Sequence, residues 1–290
     1  MIYLENDFIK VGFSDRGAEL QSLDSKTSKI NYLWNGNSEF WGKHSPVLFP
    51  IVGGLKENTY FYEGIEYNLS RHGFARDHKF EYEIVSGKEI LFTLKSSAET
   101  IKSYPFDFEL RLRYVLEGQK ISCSYEVKNP SSEKNLLFSI GGHPAFSTPI
   151  DNQTEYSDYY LDFDGDTELI YHKLEGDLIS ARTEVIKLEN GKLNLSRALF
   201  ENDALVFKTL KSKRISIKND KNEAYQLDFS FNGFPYFGIW AAKGADFVCL
   251  EPWCGIADVV EHNRELVSKE GIMTLPANQD WKRTWAVELN

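Results

Sequence analysis

Between residues 106 and 127 apolar and polar side chains alternate almost without a break, and this period of two constrains the chain more than any other feature. Phe106, Phe108, Leu110, Leu112, Tyr114 and Leu116 fall on every second position, with Asp107, Glu109, Arg111 and Arg113 between them. A helix cannot collect such residues on one side. A pleated strand does, because successive side chains point to opposite faces. Glu117-Gly118-Gln119-Lys120 then turns the chain, and Ile121, Cys123, Tyr125 and Val127 resume the period, which predicts a hairpin of two half-buried antiparallel strands. The same pattern recurs at Phe80/Tyr82/Ile84, at Ile90/Phe92/Leu94 and at Tyr225/Leu227/Phe229/Phe231. A second hairpin is expected over 60–69 around Glu63-Gly64, and a strand over 136–140, running up to His143. Helix-like stretches are short, at 98–103 and 196–202, and no linker, low-complexity tract or short repeat divides the chain. The expectation is one all-β domain over 1–290, most simply two large antiparallel sheets packed face to face.

The composition supplies what such a sandwich needs: 42% hydrophobic residues, including 20 Phe, 15 Tyr and 6 Trp. A net charge of −10 argues against a nucleic-acid or anionic-membrane partner, which would call for a basic face. No apolar run approaches the about 18 residues of a spanning helix, and the first residues lack the basic and apolar regions of a signal peptide. Cys123, Cys249 and Cys254 have no metal-site spacing and are expected to be reduced thiols in a cytoplasmic protein, a monomer or homodimer.

Three segments carry chemistry. Ser139-Ile140-Gly141-Gly142-His143-Pro144-Ala145-Phe146 places a histidine behind two glycines, which let the backbone turn or approach a ligand, and ahead of a proline that biases it toward an extended conformation. The commoner use of a histidine among apolar residues is a hydrogen-bonded core position, and for this segment alone both readings stand. Arg71-His72-Gly73-Phe74-Ala75-Arg76-Asp77 holds a second histidine between arginines. In Phe247–Asp258, Glu251 closes an apolar run and meets Pro252 and Trp253 at once. Taken together and in this order, the H-G-F-A-R, G-G-H-P-x-F and L-E-P-W-x-G-x-x-D patterns resemble the aldose 1-epimerase (galactose mutarotase-like) superfamily, in particular its LacX-like bacterial branch. The resemblance runs over essentially all of 1–290.

The resemblance implies a mutarotase super-sandwich, a small-molecule sugar substrate, and interconversion of the α and β anomers of a free hexose without a cofactor or metal. A base removes the C1 hydroxyl proton while an acid protonates the ring oxygen; the ring opens, turns about C1–C2 and recloses. By the resemblance Glu251 is the base, His143 the acid and His72 a sugar ligand near the ring oxygen, with Arg76 beside it. Asp203 is similar to a sugar-hydroxyl ligand of the family, although a turn or cap role fits it equally well. Trp240 is either a wall of the pocket or a core tryptophan, and Asp258 a structural loop residue.

One position departs from the family pattern. Many relatives carry a substrate-binding arginine where this chain has Gly54, with Lys56 the nearest cation. A hexose-6-phosphate 1-epimerase using Arg71, Arg76 and Lys56 is therefore the alternative, beside a non-catalytic carbohydrate-binding protein. A glycosidase would require two flanking carboxylates, and a metal centre of His72, His143 and Glu251 lacks any close-spaced ligand pair. If Glu251 and His143 act on opposite sides of one ring, they should stand roughly 4–8 Å apart, beyond a direct hydrogen bond.

Overall fold

The computed structural model describes residues 1–151, 153–222 and 226–290. The alternating segments pair into two large sheets, and every pairing of named strands is antiparallel. The nine-stranded sheet runs in the order Lys192–Asn194, Tyr159–Phe163, Arg214–Asn219, Leu227–Ser230, Asp280–Leu289, Lys120–Lys128, Glu109–Glu117, Glu89–Lys95, Glu81–Ser86. The eight-stranded sheet runs Leu178–Lys187, Glu168–Glu175, Leu205–Phe207, Tyr236–Trp240, Phe247–Cys254, Ile140–Gly142, Val47–Leu48, with Ala145–Ser147 also paired to Phe247–Cys254. A three-stranded sheet of Ile2–Glu5, Ile9–Phe13 and Leu20–Ser25 flanks them.

The hairpin of Glu109–Glu117 and Lys120–Lys128 forms as the alternation demands, closed by Lys120 opposite Glu117. Leu110, Leu112, Tyr114 and Leu116 are buried, as are Ile121, Cys123, Tyr125 and Val127 across from them. They share one core with Ile215, Ile217, Phe229 and Val287 of the same sheet and with Ile239, Val248 and Leu250 of the other. Each such side chain contributes roughly 1.5–3 kcal/mol by leaving water. Where a buried donor enters that core it finds a partner: Trp285 Nε1–H donates to the Tyr125 hydroxyl at 2.8 Å.

Three expectations are corrected or refined. Phe80 is buried, but Tyr82 and Ile84 are exposed, because Glu81–Ser86 is the edge strand and the core ends beneath Phe80. The strand expected over 136–140 is broken at Ser139. Leu136–Phe138 pairs with Met273–Leu275, while Ile140–Gly142 joins the eight-stranded sheet. The helix-like stretches shrink to an α-helix at Thr100–Ser103 and a 3-10 turn at Arg197–Phe200. The hairpin of Thr59–Tyr62 and Ile65–Asn68 turns at Glu63-Gly64, both with positive φ, the conformation a two-residue type I′ turn requires. In the alternation at 225–231, Tyr225 lies outside the described residues, and Leu227–Ser230 is a strand. No described helix is long and apolar enough to cross a membrane.

Candidate active site

All eight residues of Phe247–Cys254 are buried, and the pleat divides them. Val248, Leu250 and Cys254 face the core between the sheets; Phe247, Cys249 and Trp253 belong to two smaller clusters on the other side, the face that also carries Glu251. Cys249 and Cys254, on opposite faces, are both free thiols.

The neighbouring strand is interrupted at His143-Pro144, and the interruption builds the site. Before it Gly141 lies opposite Trp253; after it Ala145 lies opposite Cys249. Counting inward from either pairing sets His143 opposite Glu251. The two glycines serve packing rather than a turn. A Cβ on Gly141 would meet the Trp253 ring at 2.6 Å, and one on Gly142 the Tyr125 hydroxyl at 2.4 Å.

His143 Nε2 and Glu251 Oε2 are 3.3 Å apart, with Glu251 1% and His143 9% exposed. This corrects the expected 4–8 Å. Two residues opposite each other on adjacent strands, on one face, stand side by side rather than across a ring. Burial acts on both. It holds the Glu251 carboxyl well above its usual range, with Asp203's charge adding to it and Arg71 and Trp253 opposing. It brings His143 down to about 3, with the Arg71 and Arg76 charges adding to it and a backbone hydrogen bond opposing. The expectation of an imidazolium kept charged by its carboxylate is thus opposed by burial, which favours the neutral form of both partners.

His72 approaches from the turn before Gly73, with its ring 5.8 Å from that of His143. Its φ of 70° is left-handed, a strained conformation for a histidine, and Gly73 follows at 69°. A Cβ on Gly73 would lie 2.3 Å from the Phe49 carbonyl oxygen. The Gly53 N–H donates to His72 Nδ1 at 3.1 Å. Arg71 Nε–H donates to the other ring nitrogen, Nε2, at 3.3 Å, so both imidazole nitrogens face donors and, a neutral imidazole having one acceptor nitrogen, the two bonds compete. Burial, reinforced by the charges of His143, Arg71 and Arg76, holds His72 well below 6.5 and therefore neutral.

Glu251, His143, His72, Arg76, Asp203 and Trp240, all named from sequence, line one cavity of about 460 Å³. Arg76 donates to the Arg71 carbonyl at 2.9 Å, and its Nε, 3.7 Å from the Asp77 carboxylate, has no hydrogen-bond partner among the described residues. Asp203 unites both of its readings. It lines the cavity and, at φ 78°, its carboxylate accepts the Ala204 N–H at 2.7 Å. Trp240 meets the His143 ring edge-on at 5.6 Å. Trp41, which the sequence reading missed, stacks on the same imidazole at 4.8 Å. Its loop is held by Glu19, whose carboxylate accepts the His44 and Ser45 N–H groups. The only signal for it was a large aromatic in a polar, non-periodic stretch.

Arg71, named from sequence for the phosphate alternative, also lines the cavity, as does Asp177, which the sequence reading missed. They pair at 2.7 Å, with Asp203 at 3.9 Å from the same guanidinium. Asp177 explains the departure at Gly54, where a Cβ would lie 2.7 Å from Asp177 Cβ and 2.9 Å from its carbonyl oxygen. The turn carrying Asp177 occupies the space a larger residue would need, and Arg71 brings a cation to the cavity from another direction. Lys56 is not among the lining residues and donates to the His262 carbonyl. Cys249, which formed no ligand pair in sequence, stands behind the Glu251–His143 pair, with their ligand atoms all within 4.8 Å of one another.

Known proteins resemble this chain over most of its length. Residues 1–272 match the family model for aldose 1-epimerase. The chain is 33% identical over 277 residues to the plasmid-borne protein LacX of Lactococcus lactis subsp. lactis, covering 92% of each. It superposes on a galactose mutarotase related enzyme from Lactobacillus acidophilus with a TM-score of 0.94 at 35% identity, covering 100% of this chain and 97% of that one. A galactose mutarotase-like protein from Lactobacillus casei gives 0.91 at 30% identity, with both chains covered in full.

Proposed function

The chain belongs to the aldose 1-epimerase family, and from that premise we propose that it is a mutarotase, an isomerase exchanging the α and β anomers of a free hexose within a single domain over 1–290. The observation that carries this reading is the His143–Glu251 pair, 3.3 Å apart on the floor of the cavity. The C1 hydroxyl and the ring oxygen are bonded to the same carbon and lie about 2.3 Å apart, so two groups standing side by side can address both from one face of the sugar.

Glu251 takes the C1 hydroxyl proton as His143 gives one to the ring oxygen. The open aldehyde rotates, and both transfers reverse on the other face. The pair holds one proton throughout. Burial favours the neutral form of both groups, and the Arg71 charge favours the Glu251 carboxylate. His72 meets a sugar oxygen, Asp203 and Arg76 bind hydroxyls, and Trp41 and Trp240 form the aromatic wall.

A phosphorylated hexose is the second reading, favoured by the two guanidiniums at the cavity. Against it, Arg71 is paired with Asp177, and Asp203 adds a carboxylate. NMR anomer exchange over free and phosphorylated aldoses tests both readings. Glucose or galactose should give the higher kcat/KM. A preference for glucose 6-phosphate would transfer the chain to the second reading, and exchange of no sugar at all would leave a binding protein.

A further inference from the structure

The register that sets His143 opposite Glu251 also sets Cys249 on the same face of the same strand, one pleat earlier. The Cys249 sulfur, the His143 nitrogen and the Glu251 carboxylate oxygen are all buried and lie within 4.8 Å of one another. A tetrahedral Zn²⁺ with bonds of about 2.0–2.1 Å to nitrogen and oxygen and about 2.3 Å to sulfur holds N and O about 3.3 Å apart, and S about 3.6 Å from either. The N···O separation here is already 3.3 Å, and the thiol has about an ångström at most to travel. Thiolate, imidazole and carboxylate together are a donor set that suits zinc. The fourth position opens on the cavity, which Glu251 and His143 both line.

We propose that His143, Cys249 and Glu251 form a binding site for Zn²⁺, and that its occupation switches off proton transfer in the cavity. The metal takes the imidazole lone pair and the carboxylate oxygen that acid–base chemistry needs. Binding releases the thiol proton and the proton held by the pair, with no change of oxidation state. Among the described residues no other residue hydrogen-bonds His143 Nδ1, so the outer carboxylate that tightens a permanent zinc site is missing, and binding is reversible. The site depends on strand register and not on the mutarotase reading, and the two can fail separately.

The test is a titration of the reduced full-length chain with Co²⁺ as the optical probe for the zinc position. Wild type should take up one equivalent with a thiolate-to-cobalt charge-transfer band, and Zn²⁺ should erase that band. Cys249→Ala should lose it although Cys123 and Cys254 remain; Cys249→Ser serves the same purpose should the alanine variant melt early. Zn²⁺ should suppress anomer exchange in wild type, a chelator should restore it, and the Zn²⁺ needed should rise in the variant. No charge-transfer band in wild type, or a band that survives loss of Cys249, overturns the proposal. Should no sugar be exchanged, the functional reading falls while the cobalt titration still decides the metal site.

Discussion

Two buried carboxylates close together in sequence, Glu251 and Asp258, meet their buried partners in opposite ways. Asp258 accepts the Lys56 N–H at 2.9 Å and the Lys269 ammonium at 2.8 Å, and lies 3.2 Å from His262 Nδ1; both side chains of the Asp258–Lys269 pair are 0% exposed. It ties three segments together at the back of the cavity, which fits the structural role expected of it. Glu251 meets the His143 imidazole at 3.3 Å and the Trp253 indole, has no ammonium partner among the described residues, and faces an open cavity. A buried ion whose bonding positions are filled is fixed in place and holds the chain. A buried pair left under-coordinated beside a cavity has its remaining positions free for a ligand.

The contrast breaks first at Glu251. Glu251→Gln removes the base while keeping the shape, and exchange should fall about 10²–10⁴-fold with the melting temperature held or raised. Near-wild-type exchange in a less stable variant would make Glu251 the structural member of the two.

Asp258→Asn should do the reverse. It leaves the Lys269 ammonium buried without its counter-ion, costing about 3–5 kcal/mol in urea unfolding while exchange per folded molecule persists. Replacing both partners, as Asp258→Leu with Lys269→Met, should recover much of that loss. If the double variant is no more stable than Asp258→Asn, the carboxylate holds the segments through the Lys56 N–H rather than through the ion pair.

Acid sharpens the comparison further. Burial depresses His72, so between its folded value and about 6.5 the unfolded chain binds a proton that the native chain refuses. Its contribution is complete above about 6.5 and is lost as pH falls below, with a slope of at most about 1.4 kcal/mol per pH unit. Glu251, raised, and His143, depressed, act in opposite senses below about 6.5. Unfolding free energies at pH 5 and 7 should therefore differ less in His72→Asn than in wild type, and an unchanged difference would assign the acid sensitivity elsewhere.

The smallest effect is expected at the cavity wall. Trp41→Leu removes the ring stacked on His143 and should cost about 0.5–1.5 kcal/mol, read mainly in KM. A collapse of kcat instead would make Trp41 a positioning residue for the imidazole.

Much of this was legible in the residues. The alternation at 106–127 specifies its own strands, because a period of two is written within each strand and needs no partner to be read. The three motifs marked Glu251, His143 and His72, and the fold brings all three to one cavity. Where the reading failed, the cause was non-local. Tyr82 and Ile84 keep the alternation but lie beyond the edge of the core, Trp41 comes from a loop without periodicity, and Asp177 reaches Gly54 from a hairpin far along the chain.

The sequence by itself determined an all-β chain and the hairpin that anchors it, and marked the two histidines and the glutamate proposed to carry chemistry. Tertiary structure alone decided that His143 stands opposite Glu251 with Cys249 beside them, 3.3 Å from acid to imidazole rather than across a ring. The reason is physical. A strand's own pattern says which face is buried, but its partner and its register follow from how two whole sheets share one core, and a shift of a single residue would have turned His143 to the other face.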